Sequence, residues 1–157
     1  MSGLRAAALA TLFVAPSPPP PVVTVSAPEA VTVAAGKKAE ARVEVKVKEG
    51  FRVQANPASE PYLIPLRLEM AETPRVRPGT PVYPVGRPYR LQGTEKELST
   101  YEGTFEIRVP VEVAAGASPG DERLEGVLRY QACDARICLR PTSVPVSLPV
   151  QVTLSAR

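Results

Sequence analysis

The two cysteines of the chain, Cys133 and Cys138, both lie in the segment YQACDARICLRP at residues 130–141. A cysteine thiolate can act as a nucleophile or as a metal ligand, and two cysteines can form a disulfide. In the chain-entropy model a bridge that closes this six-residue loop contributes roughly 2 kcal/mol, whereas one closing about 65 residues would contribute roughly 4 kcal/mol. The short spacing therefore favours a local, reversible thiol–disulfide couple over a stabilising bridge. An inert hairpin clip is the alternative.

The remaining residue types argue against several other kinds of chemistry. Histidine is absent, which removes the commonest general base and metal ligand. Two cysteines alone cannot complete a structural zinc site, so we expect no metal and no other cofactor. The net charge is only +3 and the basic residues are scattered, which argues against a nucleic-acid partner. We interpret Glu95, Glu97 and Glu102 as solvated surface rather than as the carboxylates of a carbohydrate- or peptide-processing enzyme.

Charged residues distinguish the two sulfurs. Arg136 and Arg140 lie two residues before and two residues after Cys138, whereas Asp134 is adjacent to Cys133. A nearby cation favours a thiolate and a nearby anion disfavours it. We therefore expect Cys138 to be the exchanging sulfur, with a small effect because the loop is solvated.

A hairpin is the element that should hold the pair. Cys133 ends one predicted strand and Cys138 begins the next, so the two residues flank a tight loop at residues 134–137. Residues that face each other across the neck of a hairpin lie within the Cα separation that a disulfide needs. A Cys-x-x-Cys motif at a helix N-terminus is absent, so activation by a helix dipole is not expected.

Apolar residues alternate with polar ones through most of the chain, which predicts antiparallel strands that are buried on one face. The long alternating runs are residues 40–48, 105–113 and 144–154, and the prolines in the last run predict an edge strand. Shorter candidates are residues 22–25, 31–34, 62–70, 87–91 and 124–132. Seven to nine strands with polar turns predict an all-β, immunoglobulin-like two-sheet antiparallel β-sandwich. The distant cysteines and the Trp of antibody domains are lacking, so the likeness concerns architecture only.

The N-terminal residues predict export. Arg5 precedes an apolar stretch of ten residues at 6–15, which is the length of a signal-peptide core and too short to span a bilayer. An apolar start to a cytosolic chain is the alternative. We expect a signal peptide at residues 1–15, a proline-rich spacer at 16–21 and one β-domain at 22–157. Export would place the cysteines in an oxidising compartment, and membrane attachment is expected only if the leader is uncleaved.

Three segments resemble the N-terminal domain of the bacterial transmembrane disulfide reductase DsbD. The most specific is the cysteine segment, in which Tyr130, Gln131 and Cys133 precede a short loop, Cys138, a proline and a final strand at residues 144–152. The others are GFRVQANPASEPYLIPLRLEM at residues 50–70 and, more weakly, YEGTFEIRVPVEV at residues 101–113. Together they span residues 43–152, nearly the whole predicted domain.

This resemblance implies a periplasmic immunoglobulin-like domain that relays electrons by disulfide exchange, as a component of a protein-disulfide reductase. In that family the domain takes electrons from a thioredoxin-like domain fed by the membrane-embedded portion, and passes them to thioredoxin-fold proteins. The resemblance also implies that Cys138 forms the mixed disulfide and that Cys133 resolves it, in agreement with the charge argument. A cap loop with an aromatic side chain shields the pair in the family. Tyr101, just before Glu102, is the candidate here, and packing at a strand start is its alternative.

The sequence departs from the family pattern at three points. The loop between the cysteines has four residues where some members have five, and Arg140 stands where many have a second proline. No membrane-spanning or thioredoxin-like domain follows in the sequence, so we expect a separate donor, such as a membrane disulfide reductase acting in trans. The competing hypothesis is a non-catalytic immunoglobulin-like binding or scaffold domain, in which the hairpin disulfide is structural.

Overall fold

A computed structural model describes residues 20–156, and these form an all-β domain of twelve strands without an α-helix. The predicted signal peptide and most of the spacer, at residues 1–19, lie outside the described residues, as does residue 157. Within the described part, no helix is long and apolar enough to cross a membrane. The strands are β1 (Val23–Val25), β2 (Val31–Ala34), β3 (Lys38–Val47), β4 (Arg52–Gln54), β5 (Arg67–Met70), β6 (Val76–Pro78), β7 (Arg87–Arg90), β8 (Glu97–Tyr101), β9 (Thr104–Val113), β10 (Gly120–Tyr130), β11 (Ala132–Cys133) and β12 (Thr142–Thr153).

Two larger sheets share the hydrophobic core. The first has the strand order β1-β3-β9-β6 and the second has the order β2-β12-β10-β5. Alternation puts one face of each strand inside: Val43 on β3 pairs with Ile107 on β9, while Leu128 and Leu148 are buried on β10 and β12. Buried side chains from both sheets belong to one cluster, and β2 contacts β3. The predicted immunoglobulin-like fold is confirmed.

The last long strand corrects one detail of the prediction. β12 pairs with β10 at residues 142–152, and with β2 in parallel at residues 150–153. The expectation of an edge strand is therefore wrong for the C-terminal third of β12. Pro145 and Pro149 lie in the part of β12 for which, among residues 20–156, β10 is the single paired neighbour. Proline is tolerated there because its missing N–H faces no partner strand.

A third, smaller sheet carries Cys133, and it was not expected from the sequence. Its strand order is β11-β4-β8-β7. The chain reaches this sheet directly from the second one, because β10 ends at Tyr130 and β11 begins at Ala132. The backbone N–H of Gln54 on β4 donates to the carbonyl of Gln131 at this crossing (3.3 Å). The cysteine hairpin is thus fixed to the end of a long core strand.

Candidate functional site

Cys133 and Cys138 face each other across the neck of a hairpin, as predicted. Their backbones form an antiparallel bridge, their Cα atoms are 3.9 Å apart and their sulfurs are joined in a disulfide. The N–H of Leu139 donates to the carbonyl of Ala132 (2.7 Å), which continues the hairpin beyond the bridge. The loop geometry therefore holds the two sulfurs within bonding distance by local contacts alone.

Asp134 organises the loop between the cysteines. One of its carboxylate oxygens accepts hydrogen bonds from the backbone N–H groups of Arg136 (2.7 Å) and Ile137 (2.8 Å). An Asp side chain often closes a turn in this way. The two N–H donors stabilise the ionised form and hold the pKa of the Asp134 carboxyl below its ordinary value, the Ile137 bond contributing most. The loop consequently keeps a fixed negative charge next to Cys133.

The two cysteines differ in their access to solvent. Cys133 is only 2% exposed and lies on β11, whereas Cys138 is partly exposed. Ile137, which precedes Cys138, is 58% exposed. Disulfide exchange depends on which sulfur an incoming thiolate can reach. Because Cys133 is buried, Cys138 is the more accessible of the two sulfurs for an incoming thiolate.

Arg136 and Arg140 remain exposed on either side of Cys138 in sequence. Within residues 20–156 neither guanidinium forms an ion pair with an acidic side chain. Their positive charges are therefore not neutralised by a close carboxylate. Their predicted influence on Cys138 stays a prediction.

Gln54 is the residue that the sequence analysis missed. Its side chain is fully buried (0% exposed), and its Nε2 donates a hydrogen bond to Sγ of Cys133 (3.3 Å). Its Oε1 is buried without a hydrogen-bond partner among the described residues. The contact spans 79 positions in sequence and arises because β4 pairs with β11. The available signal was a single uncharged polar residue inside the apolar run Val53-Gln54-Ala55, which does not reveal its partner.

Arg52 connects the predicted residue Glu102 with this sheet. Arg52 lies opposite Cys133 in the register of β4 and β11. Its guanidinium forms an ion pair with the Glu102 carboxylate (3.0 Å) and lies over the ring of Tyr89, 4.0 Å from the ring centroid. Both partners of the ion pair are partly exposed, so its net contribution is small, about 0–1 kcal/mol. The contacts nevertheless fix Glu102 near the strand that supports Cys133.

Tyr101, the candidate cap residue, lies inside the domain. It is 4% exposed, its ring packs against Phe105 with centroids 4.7 Å apart, and its hydroxyl donates to the carbonyl of Pro84 (2.9 Å). The same oxygen accepts a hydrogen bond from the N–H of Asn56 (3.1 Å). Burial raises the pKa of the Tyr101 hydroxyl, and the Asn56 bond opposes this. These contacts fit the packing alternative for Tyr101, and the cap role stays a prediction.

Tyr130 and Gln131 anchor the start of the cysteine segment. Tyr130 is buried at the end of β10, and this burial raises the pKa of its hydroxyl against the effect of a backbone hydrogen bond from Val23. The side chain of Gln131 donates to the carbonyl of Leu139 (3.3 Å) and accepts from the N–H of Ile64 (3.2 Å). The hairpin is therefore tied both to the core and to the loop before β5. Within residues 20–156 no cluster of three or more Cys, Asp or Glu side chains is placed to hold a metal ion.

Fold and site together define an immunoglobulin-like β-domain that carries one disulfide at the neck of a partly accessible hairpin. The family model for the N-terminal domain of the thiol:disulfide interchange protein DsbD matches residues 22–149. The chain therefore belongs to this family of domains, whose namesake takes part in thiol–disulfide exchange, and the resemblance seen in the sequence is confirmed.

Solved structures similar to this chain include N-terminal domains of ScsB and DsbD. The N-terminal periplasmic domain of ScsB from Proteus mirabilis aligns with a TM-score of 0.52 and 16% identity, over 80% of this chain and 44% of that one. The chain thus spans less than half of the ScsB domain. The reduced N-terminal domain of Neisseria meningitidis DsbD aligns with a TM-score of 0.43 and 16% identity, over 73% of this chain and 79% of that one. A complex between the DsbD and PilB N-terminal domains of the same species aligns with a TM-score of 0.43 and 17% identity, over 77% and 80%. No curated protein sequence matches the chain.

Proposed function

We propose that this domain is a periplasmic thiol–disulfide exchange module that relays electrons through Cys133 and Cys138 to or from thioredoxin-fold partners. The observation that carries the proposal is the asymmetric disulfide at the hairpin neck, with Cys133 buried and Cys138 partly exposed. Membership of the DsbD N-terminal family supports exchange as the chemistry of this pair. The apolar leader predicted at residues 1–15 and the description of the ScsB domain as periplasmic support the location.

Reduction of the domain proceeds through a mixed disulfide. A thiolate of a dithiol partner attacks Sγ of Cys138, the bond between the two cysteines breaks, and Sγ of Cys133 leaves with the electron pair and takes up a proton. The second thiol of the partner, as thiolate, then attacks the partner's own sulfur in the mixed disulfide. Cys138 leaves and is protonated, so the domain gains two electrons and two protons while the partner becomes a disulfide.

The reverse sequence delivers electrons. The Cys138 thiolate attacks a disulfide of the acceptor, and Cys133 then attacks Cys138 to release the reduced acceptor. These roles follow from access, because the buried Cys133 can reach Cys138 but not an external protein. The charges of Arg136 and Arg140, which form no close ion pair among residues 20–156, favour the Cys138 thiolate. A membrane disulfide reductase on the donor side is part of the same proposal.

The test is trapping of the mixed disulfide. The variant Cys133→Ala should accumulate a covalent adduct through Cys138 with a thioredoxin-fold protein in its disulfide form, because no resolving thiol remains. Non-reducing electrophoresis and mass spectrometry of the linked peptides would identify the bond. The matched control is Cys138→Ala, which leaves only the buried cysteine and should form little adduct. Absence of an adduct with Cys133→Ala, or equal adducts from both variants, would refute the assigned roles.

A further inference from the structure

The Gln54 side chain is placed to respond to the redox state of Cys133. It lies beneath the disulfide on β4, where its Nε2 donates to Sγ of Cys133 at 3.3 Å. Its backbone is held on both sides, since its N–H donates to Gln131 and its carbonyl accepts from Leu66 (3.0 Å). The amide group is therefore fixed next to one particular sulfur.

The Oε1 atom of Gln54 is the unusual feature. Among residues 20–156 it is buried with no donor within hydrogen-bonding distance. Buried polar atoms are rarely left unpaired because an unmade hydrogen bond costs free energy in a dry environment. In the disulfide state the Cys133 sulfur carries no hydrogen, so it cannot donate to this oxygen.

Reduction changes what Cys133 offers to this amide. When two electrons and two protons from an external dithiol convert the disulfide to two thiols, the Cys133 thiol gains an S–H group that can donate to Oε1 after a half-turn of the amide. While Cys133 is still a thiolate, its negative sulfur accepts the Nε2 hydrogen bond more strongly than a disulfide sulfur does. The thiolate therefore binds the Gln54 amide better than the disulfide does, and the thiol offers Oε1 a donor that the disulfide lacks.

We propose that Gln54 is a redox-tuning residue, whose buried amide stabilises reduced Cys133 more than the disulfide and so makes the couple easier to reduce. A second consequence is kinetic. Because Cys133 is the leaving group when Cys138 is attacked, a donor that stabilises its thiolate also speeds reduction. The inference deepens the proposed function, but it depends on that function only in requiring a reducible disulfide.

The experiment compares reduction potentials of the full chain in dithiothreitol redox buffers, with the reduced fraction read by thiol alkylation. Gln54→Leu removes both polar atoms at similar volume. It should lower the equilibrium constant for reduction by about fivefold to tenfold, the size of one net hydrogen bond. For a two-electron couple this is a fall of about 20–30 mV in potential. The rate of reduction by dithiothreitol should fall in the same variant.

Thr100→Val is the matched control. Thr100 is the other buried polar residue of the described core, it lies opposite Gln54 in the register of β4 and β8, and its hydroxyl donates to the Arg87 carbonyl rather than to sulfur. This variant should keep the wild-type potential. Gln54→Met, which is apolar and flexible, repeats the test if the leucine variant does not fold.

Three outcomes would overturn the inference: an unchanged potential in the Gln54 variants, a higher potential, or an equal shift in Thr100→Val, which would indicate a general packing effect. The measurement uses a small dithiol and no protein partner. A failure to trap mixed disulfides would therefore contradict the proposed function without altering this result. Conversely, unchanged potentials in the Gln54 variants would contradict the proposed role of Gln54 and would not contradict the exchange function.

Discussion

Reduction of the disulfide between Cys133 and Cys138 should lower the free energy of unfolding by about 2 kcal/mol while the native fold persists. The magnitude follows from the length of the closed loop, because a six-residue loop removes little entropy from the unfolded chain. The hairpin keeps its own hydrogen bonds after reduction, from Leu139 N–H to the Ala132 carbonyl (2.7 Å) and from Asp134 N–H to the Ile137 carbonyl (2.9 Å). The hydrophobic cluster that the two larger sheets share contains neither Cys133 nor Cys138.

Urea unfolding of the oxidised and the dithiothreitol-reduced protein measures this difference. With a slope of about 2 kcal/mol per molar urea, the midpoint should fall by about 1 M on reduction. A variant with both cysteines replaced by serine is the control, and its midpoint should not respond to the reductant. In Gln54→Leu the difference in the free energy of unfolding between the oxidised and the reduced protein should increase by about 1 kcal/mol, because the substitution destabilises the reduced form selectively.

The contribution of the disulfide to the free energy of unfolding also determines its reduction potential, because folding and reduction form a thermodynamic cycle. A bridge that stabilises the fold by about 2 kcal/mol lowers the potential of the couple by about 40 mV relative to the same cysteines in the unfolded chain. A loss of about 4 kcal/mol or more, or unfolding on reduction, would contradict this reasoning and favour the structural-clip hypothesis. A potential below about −300 mV, which is typical of structural disulfides, would favour the scaffold hypothesis as well.

Two further predictions concern charges in the hairpin. Because the folded pKa of Asp134 is depressed below its ordinary value of 3.8, its contribution to stability is fully present above that pH and is lost as the pH falls through the lower, folded pKa. Asp134→Asn should flatten this part of a stability profile measured from neutral pH to pH 2–3, and an unchanged profile would contradict the turn assignment. In a variant whose single cysteine is Cys138, Arg136→Gln and Arg140→Gln should each slow alkylation by about twofold at low salt, since exposed charges act weakly. The effect should fade at high salt, and the remote control Arg42→Gln should show none.

The sequence predicted those parts of the domain whose signal is local. Strands β3, β9 and β12 are ten to twelve residues long, so alternation identified them, and burial follows the expected faces. The hairpin was predicted because Cys133 and Cys138 are five positions apart and their pairing needs no knowledge of the rest of the fold. Strand β10 was expected from residue 124 but begins at Gly120, because its first residues pair with the end of β12.

The third sheet could not be predicted in the same way. Its strands β4 and β11 have only three and two residues, too few to show a period. Strand β8 lies in a segment assigned no strand at all. In the second sheet, only Arg67–Met70 of the expected segment 62–70 is a strand. The contact between Gln54 and Cys133 exists because the chain leaves the second sheet after Tyr130 and its next strand, β11, pairs with β4, which is distant in sequence.

The location of the disulfide outside the two larger sheets has a functional consequence. A redox couple that bridged those sheets would couple each electron transfer to the packing of the whole core. Here the covalent change is confined to a hairpin whose buried end rests on β4 and whose exposed end carries Cys138 and Ile137. The bridge therefore contributes little stability, and this lowers the free energy needed to open it. The low stability of a short bridge and the proposed reversibility of the couple thus have the same structural origin.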